Sequence, residues 1–169
     1  MASGKAFYDR IFGSGPLIAA ASGMCLGAAW LLEQATPEFG WSIPGGTRLS
    51  IMAGSVALCI AIIAWSVRTL RPERRGTELV TDGPFRYVRH PLYAACLTIL
   101  GPGLVFALAH PAYILALVGA HLAAHGLIGR EERLMADWFP QQYTAYCART
   151  RRFIPLPATG RSAPSGPVA

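Results

Sequence analysis

Long apolar runs alternate with short polar segments along this chain, and the length of the runs decides the fold class. From Pro16 to Leu32 nearly every residue is apolar or small, about the length an α-helix needs to cross a bilayer. Pro16 suits a first helical turn, and Ser22, Gly23 and Gly27 leave room for close contact with another helix. Further runs cover Leu49 to Val67, Pro91 to Ala109 and Ala112 to Gly129. Between the first two, Pro37, Gly40, Pro44, Gly45 and Gly46 supply turn chemistry that cannot continue a helix. Trp30 and Trp41 flank that turn as interfacial anchors. Gly101-Pro102-Gly103 interrupts the third run and predicts a kink or a locally unwound turn. After Gly129 the helical pattern leaves the membrane through Glu131 and Glu132 to Phe139, until Pro140 interrupts it. The pattern therefore predicts an all-α, polytopic membrane protein with about four transmembrane helices, a polar loop before the third, and a C-terminal helix or tail.

Composition agrees with that pattern. At 169 residues, 53% hydrophobic and 14% charged, the chain is too apolar for a soluble domain of its size. The net charge of +6 would suit nucleic acid, but the basic residues cluster beside apolar runs. Arg68, Arg71, Arg74, Arg75, Arg86 and Arg89 face only Glu73, Glu78 and Asp82 in the middle loop, and Arg149, Arg151 and Arg152 follow the fourth run. The positive-inside rule accounts for both clusters, so no nucleic-acid partner is expected. It puts the loop, both termini and any site they form on the cytoplasmic side, at the inner membrane in a bacterium. Met1 to Gly15, with Lys5, Arg10 and three aromatic residues, reads as an interfacial lead-in to an uncleaved first helix. Cys25, Cys59, Cys96 and Cys147 show no metal or CxxC spacing and read as buried free thiols acting as small hydrophobes. One domain over residues 1–155 is expected, with a disordered Pro-, Ala-, Ser- and Gly-rich tail over 156–169.

Two polar constellations carry the chemistry. Arg89-His90-Pro91-Leu92-Tyr93 ends a basic loop and starts a helix, so a guanidinium, an imidazole and free backbone N–H groups can face an anion. A juxtamembrane basic residue beside an interfacial His and Tyr fits the same residues equally well. The second is Glu131-Glu132, adjacent acids at the membrane boundary that call for a partner or a task. At 100° per residue His121, His125 and Glu132 share one face of the helix while Glu131 points away from it. Glu132 is about 10 Å along the axis from His125, and the two histidines lack the glutamate of a zinc-hydrolase motif. A polar pocket between helices is expected there, without a metal.

In that order the segment Leu79-Val80-Thr81-Asp82-Gly83-Pro84-Phe85-Arg86-Tyr87-Val88-Arg89-His90-Pro91-Leu92-Tyr93, then Glu131-Glu132, then Tyr143 to Pro155 resembles the isoprenylcysteine carboxyl methyltransferase family. That superfamily of integral membrane methyltransferases includes the phospholipid N-methyltransferases. The resemblance, over residues 78–155, implies S-adenosylmethionine as methyl donor, bound between the loop before the third span and the helix end after the fourth. Carried over, Arg89, His90, Pro91, Tyr93, Glu131 and Glu132 would hold the donor, and Tyr143, Tyr146 and Arg152 would close over it. Glu132, His125 and Arg149 are the catalytic candidates, with His90 a further base for an amine or thiol acceptor. Ala95 stands where the family often has Gly, and Phe139-Pro140 where Phe-Gly often precedes the tail tyrosine.

The acceptor is expected to be a lipid or lipid-like molecule entering sideways from the bilayer, with the Gly101-Pro102-Gly103 break as a place for the gap. An isoprenylcysteine-like carboxylate leads, and a phospholipid amine or a small thiol is the alternative. An NADPH-dependent sterol-type reductase and a non-catalytic membrane partner stand as rival classes. The oligomeric state is open.

Overall fold

A computed structural model of the chain describes residues 13–70 and 78–155. The basic N-terminal lead-in before Gly13, the arginines at 71, 74 and 75, and the tail from residue 156 lie outside the described residues. Among the described residues six helices carry the fold: α1 (Gly15–Ala35), α2 (Gly45–Thr69), α3 (Pro91–Leu108), α4 (Ala112–Leu127), α5 (Gly129–Trp138) and α6 (Pro140–Arg149). The described residues contain no strand beyond a single parallel bridge between Val88 and Arg151.

Among the described residues four helical stretches are long and apolar enough to cross a membrane: α1, α2, α3, and α4 continuing into α5. Their outer faces are those of lipid-facing helices, with Met24 75%, Leu49 72% and Leu122 68% exposed. A water-soluble fold does not leave apolar surface of this extent uncovered. Three helices start where the sequence gives a reason: Pro16, Pro91 and Pro140 occupy first-turn positions, where a missing N–H is no loss. Pro140 therefore opens α6 rather than merely ending the helix before it.

The helices run α1, α4, α3, α2 across the protein, with α1 packed along α4 and α3 held between α4 and α2. Small residues permit the close approaches. A methyl group on Gly103 would collide with Ser55 of α2, and one on Gly101 with Leu117 of α4. The Gly-Pro-Gly break in α3 is thus a packing contact on its Gly103 side. Just before it, Ala95–Leu100 forms a π-helical turn. Pro102 has no N–H for the carbonyl four residues back and its ring crowds that carbonyl, so the preceding turn widens instead of unwinding.

At one end of the bundle, residues 36–44 lie across the α3–α4 turn: the Trp41 N–H donates to the Ala109 carbonyl at 2.7 Å, and Ala109 adopts a left-handed φ of 53°. At the other end, the loop before α3 is pinned by Gly83, whose positive φ of 55° brings its backbone against Thr69. Here the apolar core consists of Ile18, Val88, Ala94, Leu97, Ala120, Ala124, Ile128 and Phe153, so the segment after α6 is part of the core. The four cysteines are free, and Cys96 is exposed rather than buried.

Candidate functional site

The loop before α3, the start of α5 and the segment after α6 converge at one end of the bundle. Main-chain hydrogen bonds fasten loop to segment: Arg89 N–H donates to the Arg151 carbonyl at 2.7 Å and His90 N–H to the Arg152 carbonyl at 3.1 Å. The Tyr146 hydroxyl donates to the Phe85 carbonyl at 2.6 Å. This zipper sets Arg89, His90 and Arg152 around the two glutamates.

Glu132 is the hub. Its Oε1 accepts from Arg89 Nε at 3.1 Å and from Arg152 Nε at 3.1 Å, and lies 3.4 Å from His90 Nε2. Its Oε2 accepts from Arg152 Nε at 3.0 Å and also from Nη2. The side chain is only 14% exposed, and charged pairs this sheltered from water interact more strongly than surface pairs. Arg89 is a tie as well as a charge, since Nη1 donates to the Thr150 carbonyl at 2.6 Å. Arg152 Nη1 reaches the His125 carbonyl at 3.2 Å and His125 Nδ1 at 3.3 Å. A guanidinium only donates, so Nδ1 of His125 accepts and the ring proton sits on Nε2.

Glu131 does not point away from this cluster. Its Oε1 accepts from the Tyr93 hydroxyl at 3.0 Å and from the Ser14 backbone N–H, and its Oε2 lies 3.8 Å from His90 Nδ1. Successive side chains on a helix leave it 100° apart, yet both carboxylates reach the His90 imidazole because it sits between them. The two acids therefore bracket the His90 imidazole, one at each ring nitrogen. Ser14 also ties α1 to α4, its hydroxyl donating to the Leu127 carbonyl at 3.0 Å.

The other expected residues are placed as follows. Pro91 is fully buried in the first turn of α3. Tyr143 is buried, and its hydroxyl has no hydrogen-bond partner among the described residues; burial, then the Glu132 charge, raises its pKa. Tyr146 is buried too, and burial pushes its phenol up to about 12. Arg149 is not brought to the glutamates; it is exposed on α6 with its guanidinium 5.9 Å from the Tyr146 ring centroid.

The residues above left two contributors unnamed, Ser14 and Phe153. Phe153 is 2% exposed and wedges between the rings of His125, His90 and His121, with centroids at 4.7, 6.1 and 6.4 Å. Its only sequence signal is an apolar residue following a basic run. Ser14 carries none, because its partner is 117 positions away.

Tyr93 links the polar cluster to an apolar groove of about 330 Å³ between α1 and α3, floored by α4. Ile18, Leu97, Leu100, Gly101 and Ala120 are among its walls, so the α3 break borders the groove, although a side chain on Gly101 would meet Leu117. A cleft of about 360 Å³ at the opposite end has a polar lining that includes Glu33, Arg48 and His110. Those groups are already committed: Tyr113 donates to Glu33, Arg48 to the Ile43 and Trp41 carbonyls, and His110 pairs with the Thr36 carbonyl. The smaller groove is joined through Tyr93 to the Glu131–Glu132 cluster, so apolar and charged surfaces meet there, which makes it the better place for chemistry.

The isoprenylcysteine carboxyl methyltransferase (ICMT) family model matches residues 49–137. A stretch of 83 residues is 39% identical to the cobalt-zinc-cadmium resistance protein CzcN of Cupriavidus metallidurans, covering 48% of this chain and 38% of that protein. Over 90 residues the chain is also 39% identical to the nickel-cobalt-cadmium resistance protein NccN of Alcaligenes xylosoxydans xylosoxydans, covering 53% of this chain and 41% of that protein. The chain thus spans about two-fifths of the length of these curated relatives.

Proposed function

The chain belongs to the isoprenylcysteine carboxyl methyltransferase family, and on that premise we propose that it transfers a methyl group from S-adenosylmethionine to a hydrophobic or amphiphilic acceptor reached from the bilayer. The observation that carries this reading is the pairing of a two-signed polar cluster with an apolar groove through one shared residue, Tyr93. The donor carries a carboxylate, an ammonium and ribose hydroxyls, and the cluster offers both signs of charge within a few residues. The Tyr143 hydroxyl, buried and unpaired near Glu132, is an atom that a polar ligand group would satisfy.

When bound, that donor supplies a methyl carbon on a cationic sulfonium, and the acceptor atom bonds to it as the carbon–sulfur bond breaks with its electron pair left on sulfur. The chain's own part is alignment, exclusion of water and matching of charge. Arg89, His90, Pro91, Tyr93, Glu131, Glu132, Tyr143, Tyr146 and Arg152 form the donor-side shell. Arg149, exposed on α6, is left to close the site from outside. A carboxylate acceptor, the isoprenylcysteine-like case, needs no base. An amine or thiol acceptor sheds a proton, and His90, between two carboxylates, is better placed to take it than His125, whose Nδ1 already accepts from Arg152.

The basic residues flanking the cluster favour a cytoplasmic site. Metal resistance, in the names of the two relatives, describes those proteins, and nothing in the polar cluster calls for it here. The test is purified protein, labelled donor and a total lipid extract. Label entering an extractable lipophilic product is the expected result. Label recovered only in unreacted donor overturns the reading.

A further inference from the structure

We propose that the turn Gly13-Ser14-Gly15, which leads into α1, is a positioning element of the polar cluster: it holds one carboxylate oxygen of Glu131, so that the other is kept beside His90. Its effect on donor binding rests on the methyl-transfer reading. The turn itself lies outside the family match, which begins at residue 49.

The three residues close around a single atom. Gly13 has a left-handed φ of 49°, and a Cβ there would lie 2.5 Å from Glu131 Oε1, so the carboxylate fills the space a side chain would take. The Ser14 N–H donates to the same oxygen. Its hydroxyl, donating to the Leu127 carbonyl at 3.0 Å, fastens the turn to the end of α4. A Cβ on Gly15 would lie 3.5 Å from the Tyr93 hydroxyl, which is the second donor to Oε1, at 3.0 Å. The carboxylate also faces the positive end of the α1 dipole. Oε1 therefore serves the fold, and Oε2 is left for the cluster, 3.8 Å from His90 Nδ1. Glu132 differs, since both of its oxygens take guanidinium donors. Arg89 and Arg152 gather on that second acid at the Nε2 side of His90. At the Nδ1 side it is Glu131 that faces the ring, and the turn sets its distance.

The experiment uses the full chain in lipid nanodiscs with Gly13→Ala, Gly13→Asn, Glu131→Ala and the double variant Gly13→Ala/Glu131→Ala. Gly23→Ala is the control, a glycine of α1 whose added Cβ would meet nothing within 4 Å. Calorimetry reads S-adenosylmethionine affinity. Diethyl pyrocarbonate, which acylates an unprotonated imidazole nitrogen, reads the surroundings of His90 through its modification rate, mapped by mass spectrometry. The buried His110 at the opposite end is the internal standard for an intact fold. Gly13→Ala should weaken donor binding about tenfold and speed modification of His90, whose Nδ1 is uncovered, but not of His110. Asparagine tolerates a positive φ yet carries the same Cβ, so Gly13→Asn should match Gly13→Ala. Adding Gly13→Ala to Glu131→Ala should cost nothing further, because the Cβ then meets no carboxylate. Gly23→Ala should behave as the unsubstituted chain. Recovery of both readouts in Gly13→Asn assigns the effect to backbone strain and overturns the proposal, as do additive losses in the double variant or faster modification of His90 and His110 together. Unchanged modification of His90 in Gly13→Ala overturns it whatever the donor does. If the unsubstituted chain binds no S-adenosylmethionine while His90 modification follows the predicted pattern, the methyl-transfer reading falls and the hold of the turn on Glu131 stands.

Discussion

Each end of the helical bundle holds a histidine, a glutamate and a tyrosine, and the two ends use them differently. At the Glu33 end, His110 is 2% exposed; its Nε2 faces the Thr36 carbonyl at 2.9 Å and its Nδ1 accepts from Ala112 N–H at 3.2 Å. Every partner of that ring is a main-chain group, so it serves as a neutral peg between the α3–α4 turn and the end of α1. At the Glu131 end, His90 stands between two carboxylates, with Arg89 and Arg152 on one of them. The same residue types there form a charged cluster beside the buried Tyr143 hydroxyl, which has no hydrogen-bond partner among the described residues. At the Glu33 end each polar group is tied to the main chain or to a single hydroxyl and holds the fold; a concentration of both charges next to an open groove is the arrangement a charged ligand can use.

The largest expected effect falls on the hub. Glu132→Ala leaves Arg89 and Arg152 facing each other without their carboxylate, and a loss of about 3 kcal/mol in stability is expected, together with loss of donor binding; thermal unfolding and calorimetry read the two. Next, His90→Ala and His110→Ala should separate function from structure. His90→Ala is expected to weaken donor binding about tenfold or more with little change in unfolding. His110→Ala should leave donor affinity alone and lower stability by about 1–3 kcal/mol, because the Thr36 carbonyl and Ala112 N–H lose their partner. Equal effects of the two on donor affinity would break the comparison.

Tyr93→Phe and Tyr113→Phe repeat the contrast with hydroxyls. Removing the bond to Glu131 should reduce methyl transfer, whereas removing the one to Glu33 should change only stability, by about 1 kcal/mol. The smallest effect is on pH dependence. Burial raises the Tyr146 phenol from 10.0 to about 12, so its neutral form is favoured in the folded protein. That stability is fully present below pH 10 and is lost as pH rises toward about 12. Alkaline unfolding should therefore be less steep in Tyr146→Phe than in the unsubstituted chain.

How much of this was legible in the sequence follows from the range of the interactions. The four spans were, because run length and turn residues are local; their ends moved by a few residues, as α1 reaches Ala35 and α2 begins at Gly45. The Arg89 to Tyr93 and Glu131-Glu132 motifs were legible as two halves, and the structure brings them together. The partners of Glu131 were not, because a wheel gives a side chain's direction and not the Tyr93 hydroxyl and Ser14 N–H that meet it from other elements. The wide turn at Ala95–Leu100 was foreshadowed by Gly101-Pro102-Gly103, which read as a kink or a locally unwound turn. Ser14, Phe153 and the Arg152 bridge from Glu132 to His125 were invisible in those roles, since each depends on contacts across the fold rather than on spacing.

Calorimetric titration of S-adenosylmethionine onto the purified protein, repeated with Glu132→Ala, His90→Ala and His110→Ala, tests the central claim most directly. Saturable binding in the unsubstituted chain and in His110→Ala, abolished in Glu132→Ala and weakened in His90→Ala, is the predicted result. No binding by the unsubstituted chain, or binding that survives unchanged in both Glu131-end variants, would contradict it.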